Sequence, residues 1–213
     1  YFPPFTPREI LNNYSGNARE IPLVVRKHRS SLPAGLDVDR FKVLIIDSGG
    51  QVLREQMMAA MKSAPELAGE FHFYVSSKLG LEAENVTPID EKKFLVDHIP
   101  HVDLVIGRAG FNTISECIAF RTPMLLLGEA RNPEMSENMM NLKHEGLGSF
   151  VSLARFSNSL PTLLPRFVKY EYGDIRQAMQ DHEIPTDGAR VFAEEVLERV
   201  QSGGGGQLMS VGG

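Results

Sequence analysis

The segment GRAGFNTISE, residues 107–116, carries the residue types best suited to hold a phosphorylated ligand. Gly110 lets a ligand approach the backbone closely, because glycine has no side chain to keep it away. The amides of Asn112 and Thr113 would open a helix, and the start of a helix is a natural seat for a diphosphate. Glu116 lies one turn further on, where a carboxylate can accept hydrogen bonds from both hydroxyls of a ribose. The segment therefore predicts a nucleotide site.

The same segment also has a purely structural interpretation. Thr113 and Glu116 fit a capping box, in which Thr113 caps the helix and Glu116 reaches back to the amide of Thr113. Judged on this segment alone, the capping box is the favoured interpretation. Arg108 is either a phosphate partner or a surface residue, and the sequence does not decide between the two.

A glycine-rich turn, Asp47-Ser48-Gly49-Gly50, follows the first apolar run and precedes a helical pattern. Such a turn can present backbone amides to a phosphate, and Ser48 and Gly49 are its candidate contacts. It has neither the G-x-G-x-x-G spacing of dinucleotide sites nor the Lys-Ser/Thr pair of a P-loop. Asp47 would repel a phosphate, and a tight turn with positive φ at Gly49 or Gly50 is the favoured interpretation.

Two further loops offer groups to a sugar and to a flat base. Glu134 stands near a predicted helix start, where it can accept from sugar hydroxyls or simply complement the helix dipole. Pro88 and Ile89 form an apolar platform that would suit a base. The same stretch can be an ordinary helix start that Asp90 caps. For both loops the two interpretations stay open.

The sequence shows no catalytic constellation. It has no G-x-S-x-G string and no order of Ser, His and Asp that stands out as a nucleophilic triad. The six histidines lack the spacing of metal ligands, and the single cysteine, Cys117, excludes a disulfide framework and a Cys-rich zinc site. We therefore expect neither a metal nor a cofactor, and the catalytic residues stay unassigned.

Alternating strand and helix patterns predict the frame that positions these loops. Short apolar runs that suit strands covered on both faces lie at 42–47, 71–75, 103–106, 123–127 and 149–153. Helical patterns lie at 51–63, 91–98, 113–120, 136–145, 160–170, 175–181 and 188–200. The alternation predicts an α/β fold with a doubly wound, Rossmann-like parallel sheet. Such sheets bind ligands outside the carboxyl ends of their strands, where the loops described above would meet.

The chain has 213 residues and a formal net charge of −5. This length suits one good-sized domain, and the apolar runs are too short to cross a membrane. The negative charge argues against a nucleic-acid partner, which would favour a basic face.

The two ends of the chain lack regular patterns. The chain begins at Tyr1 without a signal-peptide pattern, and prolines punctuate residues 1–39, where we expect a linker with one short strand near 23–25. Residues 40–200 are predicted to form the domain, and the glycine-rich residues 201–213 a flexible tail. We expect such a chain to be a piece of a longer protein or a processed product.

Residues 85–148 resemble the donor-binding half of the GT-B glycosyltransferases. They are most similar to the group that includes the bacterial lipid II N-acetylglucosaminyltransferase and related UDP-sugar enzymes. In chain order, the matching features are VTPI at 86–89, VDLVI at 102–106, RAGFNTISE at 108–116, Thr122-Pro123, Asn138 and Glu145-Gly146. The final helices also fit a GT-B closing segment, so the resemblance covers most of residues 40–200.

The resemblance implies a site for a nucleotide-sugar donor in a single GT-B half-domain. The implied contacts are uracil for Ile89, the diphosphate for Gly110, Asn112 and Thr113, the ribose for Glu116 and the transferred sugar for Glu134. Ser48, Gly49 and Arg108 complete the predicted binding set. In the lipid II enzyme two amides contact the sugar, whereas Glu134-Met135 stands here, so the donor sugar stays open.

The resemblance also implies the reaction. A sugar would pass from a UDP-sugar, such as UDP-N-acetylglucosamine, directly to a hydroxyl acceptor without a metal. The acceptor site and the general base would lie on an N-terminal domain or partner subunit, so this chain alone is predicted to be inactive. The alternatives are the donor-binding subunit of a split glycosyltransferase and half of a UDP-sugar 2-epimerase. A cytoplasmic protein is expected, and peripheral membrane association through the missing half is compatible with this reading.

Overall fold

The computed structural model describes residues 4, 19–26, 39–46, 50–90, 95–128 and 132–203. The chain separates into two compact units, one formed by Arg26–Glu183 and the other by Tyr1–Val25 together with Ile184–Gly213. None of the described helices combines the length and the apolar character needed to cross a membrane.

The larger unit contains a parallel sheet of six strands in the order β3-β2-β1-β4-β5-β6. The strands are β1 Phe41–Ile46, β2 Phe71–Ser76, β3 Val86–Ile89, β4 Leu104–Arg108, β5 Met124–Gly128 and β6 Ser149–Ser152. The chain winds outward from β1 in one direction and from β4 in the other. The predicted doubly wound α/β fold is therefore confirmed.

Strand β3 is the element that the sequence patterns missed. Residues Val86–Ile89 were predicted as an apolar platform or a helix start, but they pair in parallel with β2. The strand tolerates Pro88 because it lies at the edge of the sheet, where the missing N–H removes no ladder bond on the open side. Position in the sheet, which the local sequence does not encode, decides the outcome.

Six α-helices accompany the strands among the described residues. They are α1 Gln51–Met61, α2 Phe111–Phe120, α3 Pro133–His144, α4 Leu153–Tyr170, α5 Tyr172–Asp181 and α6 Gly188–Gly203. The predicted helix at 91–98 is instead a 3₁₀ helix, Leu95–His101, and residues 91–94 lie outside the described part of the chain. Helix α4 begins seven residues before the predicted start and bends at Ser159, shortly before Pro161.

The smaller unit joins the segment around Leu23 to the start of α6. The Leu23 N–H donates to Pro185 O at 2.9 Å, and the Gly188 N–H donates to Leu23 O at 3.1 Å. The predicted strand near 23–25 is a single antiparallel bridge between Val24 and Asp187. A Cβ on Gly188 would lie 2.0 Å from Pro22 O, so this junction requires glycine. At the other end of α6, residues 201–203 of the predicted tail are helical and 204–213 lie outside the described chain.

Candidate functional site

The carboxyl ends of β1, β4 and β5 lie side by side at one edge of the sheet. The register pairs Ile46 with Gly107 and Arg108 with Leu127. A Cβ on Gly107 would stand only 3.3 Å from the Ile46 backbone and side chain, so the two strands pack closely there. Strand order reverses between β1 and β4, and doubly wound sheets bind ligands in the crevice outside the carboxyl ends of their strands at such a point.

The start of α2 faces this crevice with backbone amides that the helix does not use. Gly110 is the N-cap, its backbone is extended with φ −80° and ψ 141°, and no described side chain caps the helix. The first helical hydrogen bond runs from the Ile114 N–H to Gly110 O at 3.2 Å. The amides of Phe111, Asn112 and Thr113 therefore precede the hydrogen-bonded ladder, which suits an anion. Among the described residues, nothing lies within 4 Å of a Cβ built on Gly110, which leaves room beside these amides in this part of the structure.

The capping-box interpretation of Thr113 and Glu116 is wrong. Because Gly110 is the N-cap, Thr113 is the third residue of α2 and Glu116 is the sixth. A residue one turn and a half into a helix is beyond the orphan amides at its start. Glu116 is therefore left without the structural role that the segment alone had favoured.

Glu116 is a buried carboxylate that lacks a full set of partners. Its side chain belongs to a residue that is only 5% exposed, and Oε2 has no hydrogen-bond partner among the described residues. Burial raises the pKa of Glu116 above its ordinary value, the charge of Arg26 opposes the rise, and the charge of Asp97 adds to it. A buried oxygen with unused acceptor capacity is costly to the protein alone and favourable for a ligand that brings hydroxyl donors.

Helix α3 reaches across to the segment between β4 and α2. The Asn138 side chain is 2% exposed, and its Nδ2 donates to Ala109 O at 3.1 Å. Arg108 Nε lies 3.1 Å from Met135 Sδ, so the half-buried arginine is held at the end of β4. The sequence places Asn138 among the features that resemble the GT-B family but assigns it no role. A single amide on the sheet-facing side of a helix was the available signal.

The structure differs in what it shows of the other residues that the sequence singled out. Ile89 is buried at the carboxyl end of β3, on the same edge of the sheet, with β2 and β1 between it and β4. Ser48 and Gly49 lie outside the described residues, as does the side chain of Glu134. Gly50 is described as the N-cap of α1 and has φ −68°, so it does not supply the positive φ that a tight turn had suggested.

The described residues form a doubly wound, Rossmann-like parallel sheet in which a helix with an uncapped start, α2, carries a buried carboxylate. Residues 53–184, more than half of the chain, match the model of the glycosyltransferase family 28 C-terminal domain. The chain belongs to this family, and the predicted resemblance is confirmed. No curated protein matches the sequence significantly.

Solved glycosyltransferase structures share this fold. SnogD from Streptomyces nogalater aligns with TM-score 0.56 and 17% identity over 91% of this chain and 52% of its own. MurG from Acinetobacter baumannii aligns with TM-score 0.56 and 15% identity over 76% of this chain and 51% of its own. The spinosyn rhamnosyltransferase SpnG, solved with thymidine diphosphate, aligns with TM-score 0.56 and 20% identity over 85% of this chain and 53% of its own. The chain thus spans about half the length of these structures.

Proposed function

We propose that the chain is the donor-binding domain of a glycosyltransferase and that it binds a UDP-sugar in the crevice between β1 and β4. The observation that carries the proposal is Glu116, a buried carboxylate with an unpartnered oxygen on the helix whose first amides are open. Membership of the family 28 C-terminal domain family supports the assignment. The likeness to SpnG, which was solved with a nucleoside diphosphate, is consistent with it.

The diphosphate of the donor would lie at the start of α2. There it accepts hydrogen bonds from the amides of Asn112 and Thr113, and the positive end of the helix dipole favours its charge. Gly110 leaves the room that this approach needs. Arg108, at the end of β4, is close enough along the chain to add a positive charge to the same crevice.

The ribose would lie further along α2, against Glu116. Its hydroxyls would donate to Oε2, which has no described partner in the ligand-free protein. Leaving a buried acceptor unsatisfied costs about 1–3 kcal/mol, so the ligand recovers free energy that the fold alone does not. The uracil beside Ile89, the phosphates beside Ser48 and Gly49, and the sugar beside Glu134 remain proposals that rest on the resemblance.

The chemistry of the complete enzyme would be direct, metal-independent transfer of a hexosyl or N-acetylhexosaminyl group to a hydroxyl. This chain would hold the donor and stabilise the departing diphosphate with preorganised amides and the helix dipole. The acceptor site and the general base would come from an N-terminal domain or a partner subunit, in a cytoplasmic protein. The isolated chain is therefore expected to bind donor without turning it over.

A thermal-unfolding panel with UDP, TDP, GDP, CMP and their sugars tests the proposal. A ligand present at 100 times its Kd should add about 2.7 kcal/mol to the free energy of unfolding. We expect UDP and UDP-sugars to stabilise the chain, and Glu116→Ala to reduce the effect. Glu66→Gln, an exposed carboxylate on a different element, is the matched control. If no nucleotide stabilises the wild-type chain, the proposal is wrong.

A further inference from the structure

Thr122 ties the far end of α2 to a neighbouring 3₁₀ helix, Leu95–His101. The residue is only 4% exposed, and its Oγ1 donates to Ile99 O at 3.0 Å. Ile99 is completely buried, so the bond lies inside the fold. Separating the two elements would leave a buried carbonyl without its donor, which is costly. Thr122 therefore holds the 3₁₀ helix against the end of α2.

The same 3₁₀ helix brings a second carboxylate close to Glu116. The 3₁₀ helix packs against α2, and it carries the half-buried Asp97. Burial raises the pKa of Glu116, the charge of Arg26 on the segment 19–26 opposes the rise, and the charge of Asp97 adds to it. Because such an effect weakens with distance, Asp97 must lie near the Glu116 carboxylate. The 3₁₀ helix is therefore a neighbour of the group that we assign to the ribose.

We propose that the 3₁₀ helix Leu95–His101 is the second wall of the ribose site and that Thr122 is the positioning residue that holds this wall in place. The inference rests on the proposed function, because that function assigns the ribose to Glu116. In this arrangement α2 supplies the acceptor, and the wall closes the other side and keeps Glu116 only 5% exposed. Thr122 contacts no part of the ligand and acts through the wall alone.

The wall should sharpen the recognition of a ribose hydroxyl. A buried acceptor rejects an analogue that lacks the hydroxyl, because the acceptor is then left without a partner. If the wall loosens, water reaches Glu116 and replaces the missing hydroxyl, so the two ligands become more alike to the protein. Loss of the bond from Thr122 to Ile99 should therefore reduce discrimination between ribose and deoxyribose more than it reduces affinity for the diphosphate.

The first experiment uses the ligand-free protein and measures the pKa of Glu116 by carbon-13 NMR of labelled carboxyl groups. Thr122→Val keeps the shape of the side chain and removes the donor, so the pKa of Glu116 should fall toward its ordinary value as both burial and the effect of Asp97 weaken. Thr122→Ser, which keeps the donor, should retain the wild-type pKa. Asp97→Asn should lower it without disturbing a buried residue. An unchanged pKa in Thr122→Val or in Asp97→Asn overturns the proposal.

The second experiment compares the Kd for UDP with the Kd for 2′-deoxy-UDP by calorimetry. We expect Thr122→Val to reduce the preference for UDP about fivefold, which is the worth of one ordinary hydrogen bond, and Thr122→Ser to keep it. Arg121→Gly is the matched control at the same end of α2. Arg121 has φ 55°, which glycine adopts readily, and its Nη1 donates to Gln180 O at 3.0 Å. This variant removes a different bond and should leave the preference unchanged.

The outcomes separate this proposal from the proposed function. If wild-type protein binds neither nucleotide, the proposed function is wrong, and the wall of a ribose site is wrong with it. If wild-type protein prefers UDP and Thr122→Val keeps the full preference, the proposed function stands and the role of Thr122 is wrong. An equal loss of affinity for both nucleotides in Thr122→Val also contradicts the proposal, because a general loss of structure would have that effect.

Discussion

Asn138 Nδ2 donates a hydrogen bond to Ala109 O across 3.1 Å, although the two residues are 29 positions apart in the chain. Ala109 immediately precedes Gly110, the N-cap of α2. The bond therefore ties the middle of α3 to the loop that presents the open amides of α2. Arg108 Nε and Met135 Sδ, also 3.1 Å apart, make a second link between the same elements. Two contacts therefore hold the first half of α3 against the end of β4 and the loop that precedes α2.

Replacing Asn138 with leucine should weaken the binding of a diphosphate more than that of a nucleoside. The variant leaves Ala109 O without its buried donor, which should lower the free energy of unfolding by about 1–3 kcal/mol. The loop in front of α2 should then be less well fixed. We expect isothermal titration calorimetry to show at least a tenfold rise in the Kd for UDP and a smaller change for uridine, tenfold being about 1.4 kcal/mol.

Asn158→Leu, on the exposed side of α4, is the control for this comparison. The role assigned to Asn138 would be wrong if Asn138→Leu kept the full difference in affinity between UDP and uridine. If wild-type protein bound neither ligand, the proposed function would fail instead. The two failures are therefore distinguishable.

Removal of the Glu116 carboxylate should erase recognition of the ribose. Because Oε2 has no partner among the described residues, we expect it to accept from a ribose hydroxyl in the complex. Wild-type protein should prefer UDP to 2′-deoxy-UDP, and Glu116→Ala should bind both with equal, weaker affinity. Competition calorimetry with the two nucleotides measures this ratio. A preference that survives the substitution would show that the ribose lies elsewhere.

The stability of the ligand-free protein should depend on pH through Glu116. Burial raises the pKa of this carboxyl above 4.5 in the fold, so between that value and the raised pKa the native state binds more protons than the unfolded state. The contribution of Glu116 therefore falls as pH rises through this window, by at most about 1.4 kcal/mol per pH unit. Glu116→Gln should match the wild type below the window and be more stable above it. Urea unfolding at a series of pH values checks the prediction, and equal pH profiles would contradict it.

Gly110→Val should impair the binding of UDP much more than it lowers the free energy of unfolding of the ligand-free chain. Gly110 has an extended backbone with φ −80°, which any residue adopts, and a Cβ there meets nothing within 4 Å. We expect the free energy of unfolding to fall by no more than about 1 kcal/mol, because valine is a poorer N-cap than glycine but the backbone is not strained. The added side chain would stand where the diphosphate approaches, so UDP-dependent stabilisation should be lost. Retained stabilisation by UDP would place the diphosphate elsewhere.

Most of the sheet can be predicted from local sequence patterns. Strands β1, β2, β4 and β5 can be predicted from their apolar runs, because strands buried on both faces are apolar at successive positions. Strand β6 was predicted as well, although only Val151 among its four residues is buried. Strand β3 was not predicted, because a strand tolerates Pro88 only at a sheet edge. Whether a strand lies at the edge depends on the order of all the strands.

The site divides in the same way. The sequence predicts a nucleotide site in the loop around Gly110, because glycine, free amides and a carboxylate at these spacings suit a nucleotide. The tertiary structure places the start of α2 at Phe111, which removes Glu116 from a capping role and leaves it buried with an oxygen that has no partner among the described residues. It also decided that Asn138 holds Ala109, since a contact between residues so far apart in the chain exists only when β4, α2 and α3 pack together.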